Sequence, residues 1–522
     1  MIRRREQVFH GWGEPGAGPA LLDHADAWLR EHLRLQGGVV EAPVDLAHVV
    51  LGELALAARV RERLAAVAEV RDDREARVLR AAGKSYLDLL AQRAGECTDA
   101  PDAVVAPASA AAVADVLRIC NEEDVAVVPF GGGTSVVGGV APGRGGRDAV
   151  ISLDLGRLDA VLGVDGQLVR LQPGLRLPEA DHALRAHGLT LGHFPQSYEW
   201  ATVGGCVATR SAGQASTGFG RIERNVVAVR LATPLGEIGT REVPASAAGP
   251  ALRELIVGSE GAFGVITEVT LRARPLAAEQ RYEGWFVSSF AEGVAVLRGL
   301  AEDGLAPDVA RLSDEAETEA SLALAGRAGL ARTLGRVRPA LLICGWEAEM
   351  GVRRTEARRR LRATRALPAG ERAGRAWLAS RFAGPHLRDD LLDRGAVVET
   401  LETATTWSRL PALKAAVTGA LGGLHVGCHV SHVYPTGASL YFTALGRRDA
   451  ADPRGQWLRA KAAACDAILA AGGTLTHHHA VGRDHAPWLT GEDGPLGVDV
   501  LRAVKERLDP AGIMNPGKLL MG

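Results

Sequence analysis

The chain has 522 residues, with 60 Lys and Arg against 62 Asp and Glu, and this net charge of −2 gives no electrostatic case for a nucleic-acid partner. The six cysteines (Cys97, Cys120, Cys206, Cys344, Cys428 and Cys465) include no C-x-x-C pair, which excludes a disulfide framework or a cysteine zinc site and points to a reducing compartment. No stretch approaches ~18 uninterrupted apolar residues and the basic N-terminus lacks the apolar run of a signal peptide, so the expectation is a soluble cytoplasmic protein of roughly three domains' length.

Residues 1–98 read as a helical N-terminal region, with charge alternating against Leu, Ala and Val at helical spacing over 58–82. Residues 99–277 are mixed: an amphipathic helix over 110–121, a buried strand at 125–130, strands at 148–155 and 167–177, a helix over 178–187 and a strand pair over 225–238. Residues 278–470 change to long Ala/Arg helices (347–365, 411–420) between the apolar strands ALLICGW and SLYFTAL, a second α+β domain. The run RRTEARRRLRATR at 353–365 reads as a solvated helix face. Residues 471–522 hold three consecutive histidines, a helix and the tail NPGKLL.

The most informative stretch is VPFGGGTSVVGGVAPG at 128–143. Gly131, Gly132 and Gly133 follow Pro129 and Phe130 with no Cβ to hold a ligand away, several N–H groups can converge there, and Thr134 and Ser135 add hydroxyl donors. A diphosphate fits such a loop. The usual dinucleotide fingerprint does not, because no helix opens after the glycines, and the P-loop pattern lacks its Lys. Two further glycine segments, PQSYEWATVGGCVATRSAG at 195–213 and GSEGAFGVITE at 258–268, make the cofactor reading cumulative.

These segments and the tail resemble the FAD-binding domain of the vanillyl-alcohol oxidase (PCMH-type) family. GWG at 11–13, PQSYEWATVGG, PDVARLSDEAE at 307–317, LRDDLLDRG at 387–395, ETATTW at 402–407 and THHHAVGRDHAPWL at 476–489 resemble its alkyldihydroxyacetonephosphate synthase branch. The implied fold is α+β: a two-subdomain FAD-binding domain (99–277), a cap or substrate domain (278–470), a helical N-terminal extension, and a C-terminal segment (471–522) returning to the flavin. Pro129, Phe130, Gly131, Gly132, Gly133, Thr134 and Ser135 would wrap the pyrophosphate. Gln196, Ser197, Thr202, Gly204, Gly205, Thr209, Arg210 and Ser211 would line the flavin. Glu260, Gly261, Gly264, Val265 and Ile266 would reach the adenosine side, and Asn515 of the tail completes the set. The loop holds Thr134 and Ser135 where flavin-linked relatives place a His, so the FAD is expected to be non-covalent.

His477, His478 and His479 cannot share one face of a strand or helix. Metal-binding histidines usually stand at i,i+2 or i,i+4 with a carboxylate or Cys. Asp484 and His485 lie nearby, so a metal and a purely structural role remain alternatives. No metal is expected, and proton transfer and substrate polarisation form the leading reading. Tyr441 lies in an apolar strand, where a core role competes with the acid/base role that the resemblance implies. Arg388 would bind the substrate's phosphate or carboxylate with its planar fork, against an ion pair with Asp389, Asp390 or Asp393. Arg311 is an active-site cation by the resemblance and a routine ion pair otherwise. The implied reaction is a non-redox exchange of an acyl chain for a long-chain alkoxy group on acyl-dihydroxyacetone phosphate, through a flavin N5 adduct, giving an ether lipid precursor. Two departures from the branch, Gln196 for Asp and Ala480 for Gly, carry the alternative: an FAD-linked oxidation of a 2-hydroxy acid such as D-lactate or glycolate. The expected partner is a small lipid-like or hydroxy-acid substrate and no nucleic acid, with room for peripheral membrane contact and a homodimer.

Overall fold

The computed structural model describes residues 5–18, 21–35, 41–326, 338–347 and 350–521. Ala126–Phe130 is a short, apolar, largely buried strand, as a parallel strand covered on both faces must be. It pairs in parallel with Val150–Asp154, which pairs in parallel with Ala103–Ala106, and Glu69–Arg71 closes this four-stranded sheet antiparallel. The helix Ala110–Glu122 is capped by the Ser109 side chain and buries Val113, Val116, Leu117 and Cys120 in the same core. The helical expectation over 58–82 gives way in its middle. Helices Ala58–Ala65 and Arg74–Leu79 are separated by Glu69–Arg71, because Val70 pairs with Val105 and Asp73 caps the second helix.

A five-stranded antiparallel sheet follows, in the order Gly236–Gly239, Val226–Thr233, Val265–Arg272, Leu168–Leu171, Val161–Asp165. The third sheet has seven antiparallel strands: Leu367–Ala369, Arg281–Val287, Ala340–Trp346, Val309–Ser313, His425–Tyr434, Gly437–Arg447, Ala396–Thr406. Its core is the largest apolar cluster, built on Trp285, Trp346, Leu440, Phe442 and Trp457. The expected helix over 347–365 is Met350–Ala363, with residues 348 and 349 outside the described residues. Its arginines are not simply a solvated face. Arg353 bonds Asp308 at 3.0 Å, Arg354 bonds Glu283 at 3.1 Å and Arg360 donates to the Gly299 carbonyl at 3.1 Å, while Arg359 stays exposed beside Glu356. The arginines reach past the helix to carboxylates of the sheet beneath, which periodicity alone could not show.

The N-terminal segment touches both the glycine loop and the helix Gly384–Asp393. Gln7 Nε2 donates to the Gly132 carbonyl, Lys84 Nζ donates to the carbonyls of Val8 and Phe9, and the Trp12 N–H donates to Asp389. All six cysteines are free and buried. Among the described residues no helix is long and apolar enough to cross a membrane.

Candidate functional site

Strand register assembles the polar half of the site. Tyr441 pairs directly with Glu402 on one side and with His429 on the other, and His429 pairs with Ser313. Directly paired residues share a face, and residues two apart share it too, so Arg311, His429, Tyr441 and Glu402 form one polar row across four strands. Arg311 bonds Glu317 at 2.5 Å, and Glu317 accepts from His429 Nδ1 at 2.9 Å. Burial works to raise the Glu317 carboxyl, but His429 and Arg311 hold it down to about 2. Arg311 is thus an ion-paired residue that reaches Tyr441 through Glu317 and His429, whose ring stacks on Tyr441 at 4.9 Å. A register shift between Val430 and Val433 bulges the neighbouring strand, where the His432 N–H donates to Ser439 Oγ and the His432 ring bonds Ser216.

Glu402, which sequence reasoning quoted in a motif and gave no role, organises the histidines. Its buried carboxylate accepts the backbone N–H groups of His477 (2.6 Å), His478 (3.0 Å) and His479 (2.8 Å), and the Thr476 hydroxyl (2.5 Å). Burial favours the neutral acid, yet His478, then His479 and His477, hold the carboxyl well below the ordinary range. The three residues therefore form a turn around an anion, with their rings splayed. His477 Nε2 bonds the Tyr434 hydroxyl at 2.6 Å and its Nδ1 lies 3.0 Å from His478 Nδ1. His478 stacks on Tyr441 at 6.0 Å, and His479 meets that ring edge-on at 5.4 Å. Burial lowers His477 well below its usual value and His479 to about 3, so both are neutral at pH 7, while burial raises Tyr441 to about 12. His432, His477 and His478 offer ring nitrogens within 4.8 Å of one another, but both nitrogens of His477 are already engaged.

A second carboxylate continues the cage. Glu260, with φ +54°, accepts the N–H groups of Val481 (2.8 Å) and Gly482 (2.7 Å), so its side chain faces the segment after the histidines. Burial raises it to about 7 against the pull of those two bonds. Its folded value lies above its unfolded one, so its contribution to stability is full at low pH and is lost as pH rises through 7. Relative to Glu260→Gln, the wild-type stability is expected to fall by about 3 kcal/mol between pH 5 and pH 8, read as the difference of two unfolding series.

The glycine loop is pressed against the second glycine segment. A Cβ on Gly131 would meet Thr202 Oγ1 at 2.5 Å and one on Gly132 the Trp200 carbonyl at 2.1 Å, while Gly133 sits at φ +67°. Thr202 caps the helix Val203–Ala208, which contains Gly204 and Gly205. Thr209 bonds the Gly205 carbonyl, Arg210 bonds Val257 and Glu254, and Ser211 bonds His193, a buried histidine that sequence reasoning passed over. Pro129 packs against Gly261, and Val265 and Ile266 pair with Ala232 and Leu231. Asn515 ties the tail to Val127, Gly139 and Glu260. His193 Nδ1, Ser259 Oγ and Asn515 Oδ1 are buried without hydrogen-bond partners, all on or beside the segments that the sequence marks for FAD. Unpaired buried polar atoms and a cradle without Cβ atoms are what a diphosphate-bearing, many-acceptor cofactor requires, so the residues present fit FAD.

Arg388, on the helix Gly384–Asp393, has one long ion pair, with the adjacent Asp389. Its Nη1 donates to the Lys84 carbonyl at 2.5 Å, and its nearest carboxylate oxygen, on Asp389, is 3.8 Å from Nε. Ser197, which follows Gln196 in the chain, makes a turn, accepting the Trp200 and Ala201 N–H groups on its carbonyl.

The family model described as FAD binding domain matches residues 101–240, and that described as FAD linked oxidases, C-terminal domain, matches 276–519. The alkyldihydroxyacetonephosphate synthase of Trypanosoma brucei brucei is 33% identical over 87% of this chain and 78% of its own length. A solved alkyldihydroxyacetonephosphate synthase superposes with a TM-score of 0.84 at 27% identity, covering 98% of both chains. A p-cresol methylhydroxylase structure, at TM-score 0.70 and 16% identity over 88% of this chain and 96% of its own, shares the fold.

Proposed function

This chain belongs to the FAD-linked oxidases, in the alkyldihydroxyacetonephosphate synthase family, and from that premise we propose that it exchanges the acyl chain of an acyl-dihydroxyacetone phosphate for a long-chain alkoxy group. FAD is its cofactor, and when bound it supplies the ring-nitrogen nucleophile for the exchange. A fatty carboxylate leaves, a long-chain alcohol enters, and no electrons pass to an acceptor.

The observation that carries this reading is the polar row facing the caged histidines. The neutral imidazole of His479 accepts the alcohol's proton, since burial keeps that ring unprotonated at pH 7. The Tyr441 hydroxyl, raised to about 12, stays protonated and gives a hydrogen bond to the departing carboxylate, which leaves as the anion. Tyr434 holds the His477 ring, and Glu402 fixes the backbone that carries all three. Arg311 is a positioning residue, acting through Glu317 and His429 on the Tyr441 ring. Arg388 holds the phosphate. The fatty chains partition into lipid, so cytoplasmic residence with peripheral membrane contact accompanies this reading.

FAD-loaded protein under argon, given palmitoyl-dihydroxyacetone phosphate and hexadecanol, is expected to release palmitate and form the alkyl product with the flavin still oxidised at the end. Bleaching of the flavin by D-lactate or glycolate, with no palmitate released, would overturn the reading and make the protein a hydroxy-acid oxidoreductase.

A further inference from the structure

Two buried donor groups, the Nε–Nη2 edge of Arg388 and the amide of Gln196, make no hydrogen bond, although Arg388 Nη1 is held by the Lys84 carbonyl and Asp389 lies 3.8 Å from Nε. Arg388 has a side chain only 11% exposed, and its Nε and Nη2 lack hydrogen-bond partners. Gln196 Nε2 is likewise shielded from water and unpartnered. Gln196 stands beside the helix that carries Arg388. Gln196 Nε2 lies 3.6 Å from where a Cβ on Gly384 would stand, and Gly384 is the first residue of the helix that carries Arg388. Positions 384 and 388 are i and i+4, one above the other on one helix face. A buried guanidinium edge and a buried amide left unpaired are costly, and an anion would satisfy both.

We propose that Gln196 and Arg388 together seat the anionic head group of the substrate, and that Gln196 makes the site select a phosphate over a carboxylate. The reason is a count of acceptors. A carboxylate has two oxygens, and the Nε–Nη2 edge of Arg388 occupies both. A phosphate monoester keeps a third terminal oxygen, which accepts from Gln196 Nε2. The inference rests on the synthase reading only in that the substrate carries a phosphate. It adds a specificity-determining residue to that site.

The test is calorimetric titration of the FAD-loaded, phosphate-free protein with inorganic phosphate and, separately, with acetate. Gln196→Met keeps the side-chain length and removes the donor. It is expected to weaken phosphate about tenfold and acetate less than threefold. Arg388→Met is expected to weaken both anions, and Arg388→Lys, which keeps the charge without the fork, covers the case in which the Met variant does not fold. Equal loss of both anions in Gln196→Met, or no loss of phosphate, would overturn the proposal. So would a Gln196→Met protein that holds less FAD while its loaded fraction binds phosphate normally, which would assign the amide to the cofactor. Binding is read without turnover, so the two readings fail separately. Gln196-dependent phosphate selectivity without acyl exchange would remove the synthase reading alone, and exchange without any Gln196 effect would remove this inference alone.

Discussion

Glu402→Gln is expected to lower stability by about 3–5 kcal/mol and to slow acyl release by at least about 10²-fold, because it replaces a buried anion that several donors converge upon. The wild-type carboxylate accepts three consecutive backbone N–H groups and a hydroxyl. An amide of the same volume has one accepting oxygen and turns an NH₂ toward donors, so at least one of the N–H groups at 477–479 loses its partner and the turn reshapes. The histidine rings then leave their positions against Tyr441 and Tyr434. Glu402 titrates well below the ordinary carboxylate range when folded, so its contribution is present above the unfolded value near 4 and is lost only as pH falls through the folded one. The Glu402→Gln deficit is therefore expected to be constant from pH 5 to 8, where the Glu260→Gln difference changes. Thermal unfolding of both variants across that range, with single-turnover palmitate release, reads each part. A Glu402→Gln protein with wild-type stability and turnover would remove the caging role.

Tyr441→Phe is the second large effect, and it separates chemistry from packing. The phenyl ring keeps the stacks on His429 and His478 and the edge contact with His479, so FAD content and unfolding temperature are expected to be near wild type. The lost hydroxyl is the hydrogen-bond donor to the departing carboxylate in the proposed exchange, and one such donor to a developing anion contributes about 10²–10³ in rate. The expected result is a fall of that size in kcat for palmitate release with KM little changed. A fall of less than about threefold would return Tyr441 to the core role that strand tyrosines commonly have.

Local chemistry was legible where the backbone itself is the device. Three glycines after an apolar strand give a loop with no Cβ, and the sequence shows this directly, as it shows the strand before it and the helix read over 110–121, which runs Ala110–Glu122. The conspicuous His477-His478-His479 run was legible as a site but not as a geometry. Glu402 and Glu260 stood inside quoted motifs, and the one available signal, an acidic residue in the apolar strand VVETLETATT, does not say which backbone groups it would hold. Glu399, three residues earlier in that strand, accepts instead from the Tyr86 N–H, so a buried strand Glu alone does not mark the site.

The sequence by itself determined a glycine loop without Cβ atoms, the α+β class and the residue types gathered at 476–485, because glycine content, apolar periodicity and side-chain chemistry are properties of neighbours in the chain. Only the tertiary structure decided the partners. Tyr441 meets His429 and Glu402 because strand register fixes which residues share a face, and register depends on pairings dozens of residues apart. Arg311 closes on Glu317 at 2.5 Å while Arg388 keeps only a 3.8 Å pair with Asp389, because how near a carboxylate comes to a guanidinium is set by packing between elements, on which sequence spacing is silent.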